Sequence, residues 1–359
     1  MIHIIGAGPA GLYLGWKLKE LNPNLEVTIY EEHEKIGEPI QCTGLVTSKI
    51  NDYVKIPKSV IANKISKAKI FAPNGTFVEI NLSDPDLVIH RNKFDQHLAK
   101  KATKAGCDIK KGSGLTRIEK GILVFKKTKV ILKPGDIVVG SDGPKSLVAE
   151  HLGVKHDLLS GIQAIMKIKN SSIIKFYPYI GEYAWVVPED KGTARVGVVA
   201  REDCKKIFDE FVSGFKGQTV DIQAGTIPMH KPSLRIHKTV DGVAWFIVGD
   251  AAGQVKNTTG GGIIPGLRSA EKLARAIVSK EYWTYVITCQ IQPDLVAHQL
   301  MNRAFSKFSD KDWNELIDEF KSKELKEVLA NTDRENALSM IFKILSKKPR
   351  FIKYGEKAF

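Results

Sequence analysis

Cysteine is scarce in this sequence. There are four, Cys42, Cys107, Cys204 and Cys289, and no two form a CxxC pair. That argues against a disulfide framework and a thiolate zinc site, and it fits a reducing, cytoplasmic setting. No HExxH or comparable histidine pair occurs, so no metal site is expected. No apolar run approaches the roughly 20 residues needed to cross a bilayer. Internal repeats and long linkers are missing too. A glycine motif begins at Gly6, which leaves no room for a secretory leader, and none is expected. Acid is in deficit: 54 Lys and Arg face 40 Asp and Glu, a formal net charge of +14. Such a surface attracts anionic partners. No nucleic-acid motif accompanies the charge, and the basic residues do not interleave with aromatics. Nucleic acid is therefore not an expected partner. A solvated lysine-rich surface with some attraction to a membrane is preferred.

What is present is written most clearly at the start. Across 359 residues, 43% hydrophobic, about two domains are expected. An apolar strand ending at Ile5 runs into Gly6-Ala7-Gly8-Pro9-Ala10-Gly11, then a helix over 12–22, then a second strand ending at Tyr30-Glu31. This is the order of a dinucleotide-binding unit. Gly6 permits the tight turn, Gly8 lets backbone approach a pyrophosphate, and Gly11 lets helix and strand pack closely. The helix N-terminus favours an anion. Glu31, with Glu32 beside it, is placed to accept from ribose hydroxyls. Such a unit serves NAD or FAD alike.

Two later strands also end in acids, at Ser141-Asp142-Gly143 and Gly249-Asp250. The second precedes Gly260-Gly261-Gly262 and a helix over 265–279. An acid at 250 can bond a ribityl chain, and the helix start at Gly261, Gly262 and Ile263 can support negative charge on a reduced flavin ring. These features favour FAD. Alternating segments at 64–82, with a Pro73-Asn74-Gly75 turn, and at 161–200 read as antiparallel sheet. A strand at 87–91 opens a helix to Ala105. Three helical stretches, 282–306, 310–330 and 333–348, are expected at the end. The domain reading is therefore 1–60, 86–160 and 236–280 for cofactor binding, 61–85 and 161–235 for substrate, and 281–359 helical.

Taken together, Gly6–Gly11, Glu31, Arg91 with Phe94-Asp95, Ser141-Asp142-Gly143 and Gly249-Asp250 resemble the signature set of the p-hydroxybenzoate hydroxylase-like flavoproteins. The resemblance implies an α/β fold. A Rossmann-like FAD-binding domain carries an inserted antiparallel-sheet substrate domain and C-terminal helices. It also implies that Arg91 reaches the FAD phosphates and that Asp142 is mainly structural. Within that group, Gly37-Glu38-Pro39-Ile40-Gln41-Cys42-Thr43-Gly44 resembles the PxxCxG segment of geranylgeranyl reductases. Tyr183-Ala184-Trp185-Val186-Val187-Pro188 and, after eight intervening residues, Gly197 resemble their YxWxFP…GxG motif. Val187 stands where phenylalanine is usual, and Val199 where the second glycine would be.

The function so implied is saturation of geranylgeranyl double bonds, of archaeal-type ether phospholipids, by hydride from reduced flavin. The electron donor would be a ferredoxin, a nicotinamide or a deazaflavin. Cys42 is the candidate functional thiol, its alternative being a small buried hydrophobe. Tyr183 and Trp185 share a strand face and either wall a lipid tunnel with Pro188 and Gly197 or fill ordinary core. The basic amphipathic helix 333–348 either lies on a membrane inner face or packs on the domain. A monooxygenase using FAD and NADPH, or an electron-transfer flavoprotein, are the rival activities.

Overall fold

A computed structural model describes residues Met1–Phe359. Its first sheet has six strands in the order His237–Val240, Val243–Ile247, Ile137–Gly140, Ile2–Ile5, Val27–Tyr30 and Asp108–Lys110. All neighbours run parallel except the hairpin at 237–247. The four strands Ile2–Ile5, Val27–Tyr30, Ile137–Gly140 and Val243–Ile247 are buried at every position. Unbroken burial is what a parallel sheet covered on both faces demands. Helix Pro9–Leu21 packs against helices Arg91–Ala105 and Ile263–Ser279. The carboxyl ends of the four strands deliver Gly6, Glu31, Ser141 and Gly249 to one edge, where ligands bind in open α/β sheets.

The second sheet has eight strands. Their order is Gln218–Pro228, Leu158–Lys167, Thr193–Ala200, Tyr183–Pro188, Ile174–Tyr177, Ile61–Phe71, Phe77–Ile89 and Leu45–Val46. The only parallel neighbours are 174–177 and 61–71. That one pairing joins sheet segments far apart in sequence. One face packs Ala164, Met166, Ala184, Val186, Val196 and Val198 against Phe208 of helix Cys204–Ser213. Period-two alternation turns Gln163, Tyr183, Trp185, Arg195 and Gly197 to the other face.

Two expectations meet differences here. Strand Phe77–Ile89 continues past residue 85, so the expected break at 85/86 falls inside a strand. Pro85 is tolerated because the pairing with 61–71 is irregular there, shifting between Ile65 and Lys67. The three expected C-terminal helices are instead six: Tyr282–Gln290, Pro293–Phe305, Asp310–Glu319, Lys323–Asn331, Ala337–Lys347 and Ile352–Glu356. Pro293 restarts the first as a new helix at its N-terminal turn. Asn336 caps Ala337–Lys347 by accepting the Ser339 N–H at 2.9 Å, so the helix begins later than 333.

A buried ion pair anchors this helical region to the sheet. Both Arg334 terminal nitrogens donate to Asp86, which is 2% exposed on strand Phe77–Ile89. Glu335, the next residue, accepts from Thr47 at 3.0 Å and pairs with Lys256 at 2.6 Å. Arg334→Ala leaves Asp86 unpaired. It is expected to cost about 3 kcal/mol, the low end for a broken buried pair because the arginine is partly exposed. Urea denaturation checks this, and replacing both partners by leucine should recover most of the loss.

Candidate active site

The glycine turn is fixed by backbone crowding. Gly6 has φ +99°, and a Cβ there would stand 2.3 Å from the Ser141 carbonyl oxygen. A Cβ on Gly11 would stand 2.3 Å from both the Gly6 carbonyl and Ser141 Oγ. Gly8 differs: a Cβ there meets nothing within 4 Å. The turn is closed on the protein side and open on the outer side. Ser141 Oγ lies 2.9 Å from the Ile5 carbonyl and 2.8 Å from that of Gly6, stitching adjacent strand ends. Asp142 accepts from Ser146 and from the Leu147 N–H, so it organises the next helix start. Glu31 accepts the Ala7 N–H at 2.9 Å and the His33 N–H at 3.0 Å. Glu32 is directed outward, its side chain 62% exposed.

No side chain caps helix Pro9–Leu21 or helix Ile263–Ser279, and neither has an acid in its first turn. Their leading N–H groups are left for another acceptor. Pro9 and Ala10 open the first. Ala10 packs near Gly249 and Gly266, which draws the two helix starts together. Gly261 and Gly262 lead into Ile263, and a Cβ on Gly262 would lie 2.8 Å from Asp250 Oδ1.

Between these helix starts and the second sheet lies a cluster of charge. Arg91 donates through Nε and one terminal nitrogen to Asp95, at 3.2 and 3.0 Å. Burial works against its charge, but Asp95 and then the adjoining Cys42 thiol outweigh that and raise its pKa. Asp250 has no side-chain partner. Burial pushes its carboxyl up, and Arg91 offsets this only in part. The Cys42 sulfur accepts the Gly44 N–H at 3.3 Å. Burial, then Glu182 and Cys42, push the Tyr183 phenol up. Cys42 thus acts on both Arg91 and Tyr183, and Arg91 acts on Asp250, which makes the four near neighbours.

The loop carrying Cys42 is tied to the second sheet by residues that no motif singled out. Thr43 Oγ1 donates to Gln163 at 2.9 Å, and Gln163 donates to Gln223 at 2.8 Å. Buried Arg195 donates to the Thr43 carbonyl and forks onto Glu189 at 3.3 and 3.0 Å. Glu189 also lies 3.3 Å from His90, which immediately precedes Arg91. The available signal was a polar residue at an inward position of an apolar strand, Arg195 in Thr193–Ala200.

Beside this loop stands an aromatic wall. Phe176, Tyr183 and Trp185 have centroids 5.6 and 5.9 Å apart in succession. Trp185 faces Gly197 across the strand pair, and a Cβ on Gly197 would lie 2.2 Å from the indole. Glycine is required there because the ring lies on its backbone. The Trp185 Nε1 is buried without a partner. Val199 faces Tyr183, and Val187 joins Ile65, Val88 and Ile174 beside Trp185. Pro188, by the two-residue period, falls on the opposite face from Tyr183 and Trp185, and its carbonyl accepts from Asn63. The structure therefore groups Tyr183, Trp185 and Gly197 but sets Pro188 apart.

Residues 4–45 match the family model of an NAD(P)-binding Rossmann-like domain. A digeranylgeranylglycerophospholipid reductase of Methanosphaera stadtmanae is 32% identical, with 78% of this chain and 79% of that protein covered. The chain belongs to this reductase family. Another member, from Methanocaldococcus jannaschii, is 26% identical over 98% of this chain and 96% of its own. Among solved structures, a geranylgeranyl bacteriochlorophyll reductase-like protein of Thermoplasma acidophilum superposes with a TM-score of 0.83 at 24% identity. It covers 100% of this chain and 98% of its own. A flavin-dependent brominase shares the fold at TM-score 0.67 and 15% identity, with 98% and 99% covered.

Three substitutions test this geometry. Gly6→Ala should destabilise the protein by several kcal/mol, since the crowding atom is backbone, while Gly8→Ala should leave the melting temperature nearly unchanged. Asp250 has a folded-state pKa above its unfolded one, so its ionisation costs stability. The cost is absent below about pH 4 and grows as pH rises from there. Asp250→Asn apoprotein should accordingly melt above the wild-type apoprotein at neutral pH, the gap closing on acidification.

Proposed function

We propose that this chain is an FAD-dependent reductase that saturates double bonds of geranylgeranyl chains in archaeal-type ether phospholipids. What supports it is a pair of unlike surfaces linked through the interactions of Arg91 with Asp250 and of Cys42 with Arg91 and Tyr183. One surface offers uncapped helix starts and the unpartnered Asp250 carboxylate; the other offers the aromatic wall around Trp185. Family membership gives the reaction class.

FAD fits the polar side. Its diphosphate suits the open surface at Gly8 and the amides of Ala10 and Gly11 behind Gly6 and Pro9. Glu31 keeps acceptor capacity for ribose hydroxyls. Arg91 spans toward the flavin. Asp250, a carboxylate lacking donors, suits ribityl hydroxyls, and the amides at Gly261, Gly262 and Ile263 suit the pyrimidine edge. When bound and reduced, FAD supplies a hydride equivalent to the alkene.

The protein does the rest. An isolated alkene has no carbonyl to polarise, so placement and water exclusion dominate. Phe176, Tyr183 and Trp185 present an apolar surface against which a prenyl chain can lie. Tyr183 Oη belongs to that surface, and Cys42 lies close enough to Tyr183 to act on it. Burial holds the proton on Tyr183, and Arg91 keeps a fixed positive charge beside Cys42. Cys42 is the residue assigned to the chemical step, as the group that would give one alkene carbon its proton while the other takes the hydride, the thiol then being reprotonated from solvent. Val187 and Val199 shape the tunnel where bulkier and smaller residues are usual in the family motif. The reductant is a ferredoxin, a nicotinamide or a deazaflavin, and the enzyme works peripherally at a membrane.

The test is anaerobic. Chemically reduced enzyme mixed with a digeranylgeranyl phospholipid should regain the absorbance of oxidised flavin without oxygen. No reoxidation until air is admitted would favour a monooxygenase instead. Cys42→Ala should keep its flavin and lose about 100-fold or more in that rate, within the range for a lost proton-transfer group. Asp250→Asn should bind FAD at least about tenfold more weakly, losing charge-assisted bonds worth roughly 1.5–3 kcal/mol.

A further inference from the structure

An apolar face on the C-terminal helices has no partner within the fold. Trp283, Ile287 and Ile291 recur every four residues and are 62%, 66% and 60% exposed. Trp283 and Ile287 form one stripe along helix Tyr282–Gln290, whose opposite side buries Tyr285 and Cys289, and Ile291 follows at the helix's extended C-cap. The Leu338 N–H donates to Asp294 at 3.3 Å, which sets the start of helix Ala337–Lys347 beside the residues that follow Ile291. That helix turns Ile344 and Leu345 inward and leaves Leu338 and Phe342 46% and 74% exposed. A soluble surface scatters such residues singly; Trp283, Ile287 and Ile291, with Leu338 and Phe342 on a helix whose first turn meets Asp294, mark a contact site.

We propose that this face docks into the headgroup–acyl boundary of an anionic bilayer. The proposal rests on the lipid-reductase reading and names the surface through which that enzyme meets its substrate's membrane. The charges around the face fit this occupant. Lys343 and Lys347 of helix Ala337–Lys347 are turned toward Glu324, Glu327 and Thr332 of the neighbouring helix region, so the flanking charge lies beside the other helix. Lys272 reaches the Thr288 carbonyl at 3.5 Å, next to Ile287, and Lys280 lies three residues before Trp283. The chain as a whole carries +14. Apolar side chains flanked by lysines, with a tryptophan among them, are the composition of elements that lie in an interface plane. No helix is long and apolar enough to cross the bilayer, so attachment through helices has to be of this flat kind.

Vesicle sedimentation of the FAD-loaded protein tests this. Wild type should sediment with vesicles of dioleoylphosphatidylglycerol, less with dioleoylphosphatidylcholine, and less again in high salt. W283E/I287E should lose about tenfold or more of that partitioning while turning over detergent-dispersed substrate like wild type. A control pair on the far edge strand, V220E/I222E, removes side chains that are 56% and 54% exposed and should bind vesicles normally. Unchanged vesicle binding by W283E/I287E, or none by wild type, would overturn the proposal. So would a concentration-dependent dimer that W283E/I287E dissociates, which would assign the face to a second copy. Vesicle binding is measured without turnover, so it stands or falls separately from the flavin reoxidation result.

Discussion

The ion pair between Arg91 and Asp95 braces the first turn of the helix that leads from the eight-stranded sheet onto the nucleotide layer. Arg91 follows directly on a strand of the eight-stranded sheet and begins a helix that packs on the nucleotide layer. Its guanidinium is committed to Asp95, which is 3% exposed, and from there its charge acts on both Cys42 and Asp250. Removing the arginine would leave a buried aspartate without a partner, a loss of roughly 3–5 kcal/mol. Two carboxylates share the field of one arginine, so Asp250 is the one left without a counter-charge. Hydroxyl donors suit such a carboxylate, and a second cation is not required. The same arginine thus braces the fold and sets the charge beside Cys42 and Asp250.

A second constraint acts on the loop before it. Thr43 is held by Gln163 and Arg195 from two neighbouring strands, and Glu189 links Arg195 to His90. Cys42 and Arg91 are therefore positioned from the same sheet, although 49 positions separate them. Buried polar networks of this kind act as units, and each member is costly to leave unsatisfied. The aromatic wall grows from the same strands. Trp185 can lie flat only because Gly197 faces it, so the glycine of the motif serves ring packing and not a turn.

Much of this was legible in the sequence because it depends on local chemistry. The glycine turn, the strand ending at Glu31 and the helix after Gly262 each follow from backbone rules spanning a few residues. Gly8, Gly6 and Gly11 play distinct parts, and their spacing foretold which would be open. The shared face of Tyr183 and Trp185 followed from strand period. Other features depend on distant partners and left little local trace. Arg195 reads as an ordinary strand arginine until Thr43 is seen beside it. Pro188 completes a sequence motif yet points away from Tyr183, since alternation outranks adjacency. The helix expected at 333–348 looked uniformly amphipathic. Its apolar residues in fact divide between the core, at Ile344 and Leu345, and the solvent, at Leu338 and Phe342. Only tertiary packing makes that division.

Family membership points to reduction and not oxygenation, and the carboxylate, helix starts, thiol, phenol and apolar wall are groups that such a reaction can use. The mass spectrum of the lipid product tests this most directly. A digeranylgeranyl phospholipid incubated without oxygen, in the presence of the reduced enzyme, should return heavier by successive pairs of hydrogen atoms. Lipid returned with unchanged mass, or a product formed only in air and carrying an added oxygen atom, would contradict it.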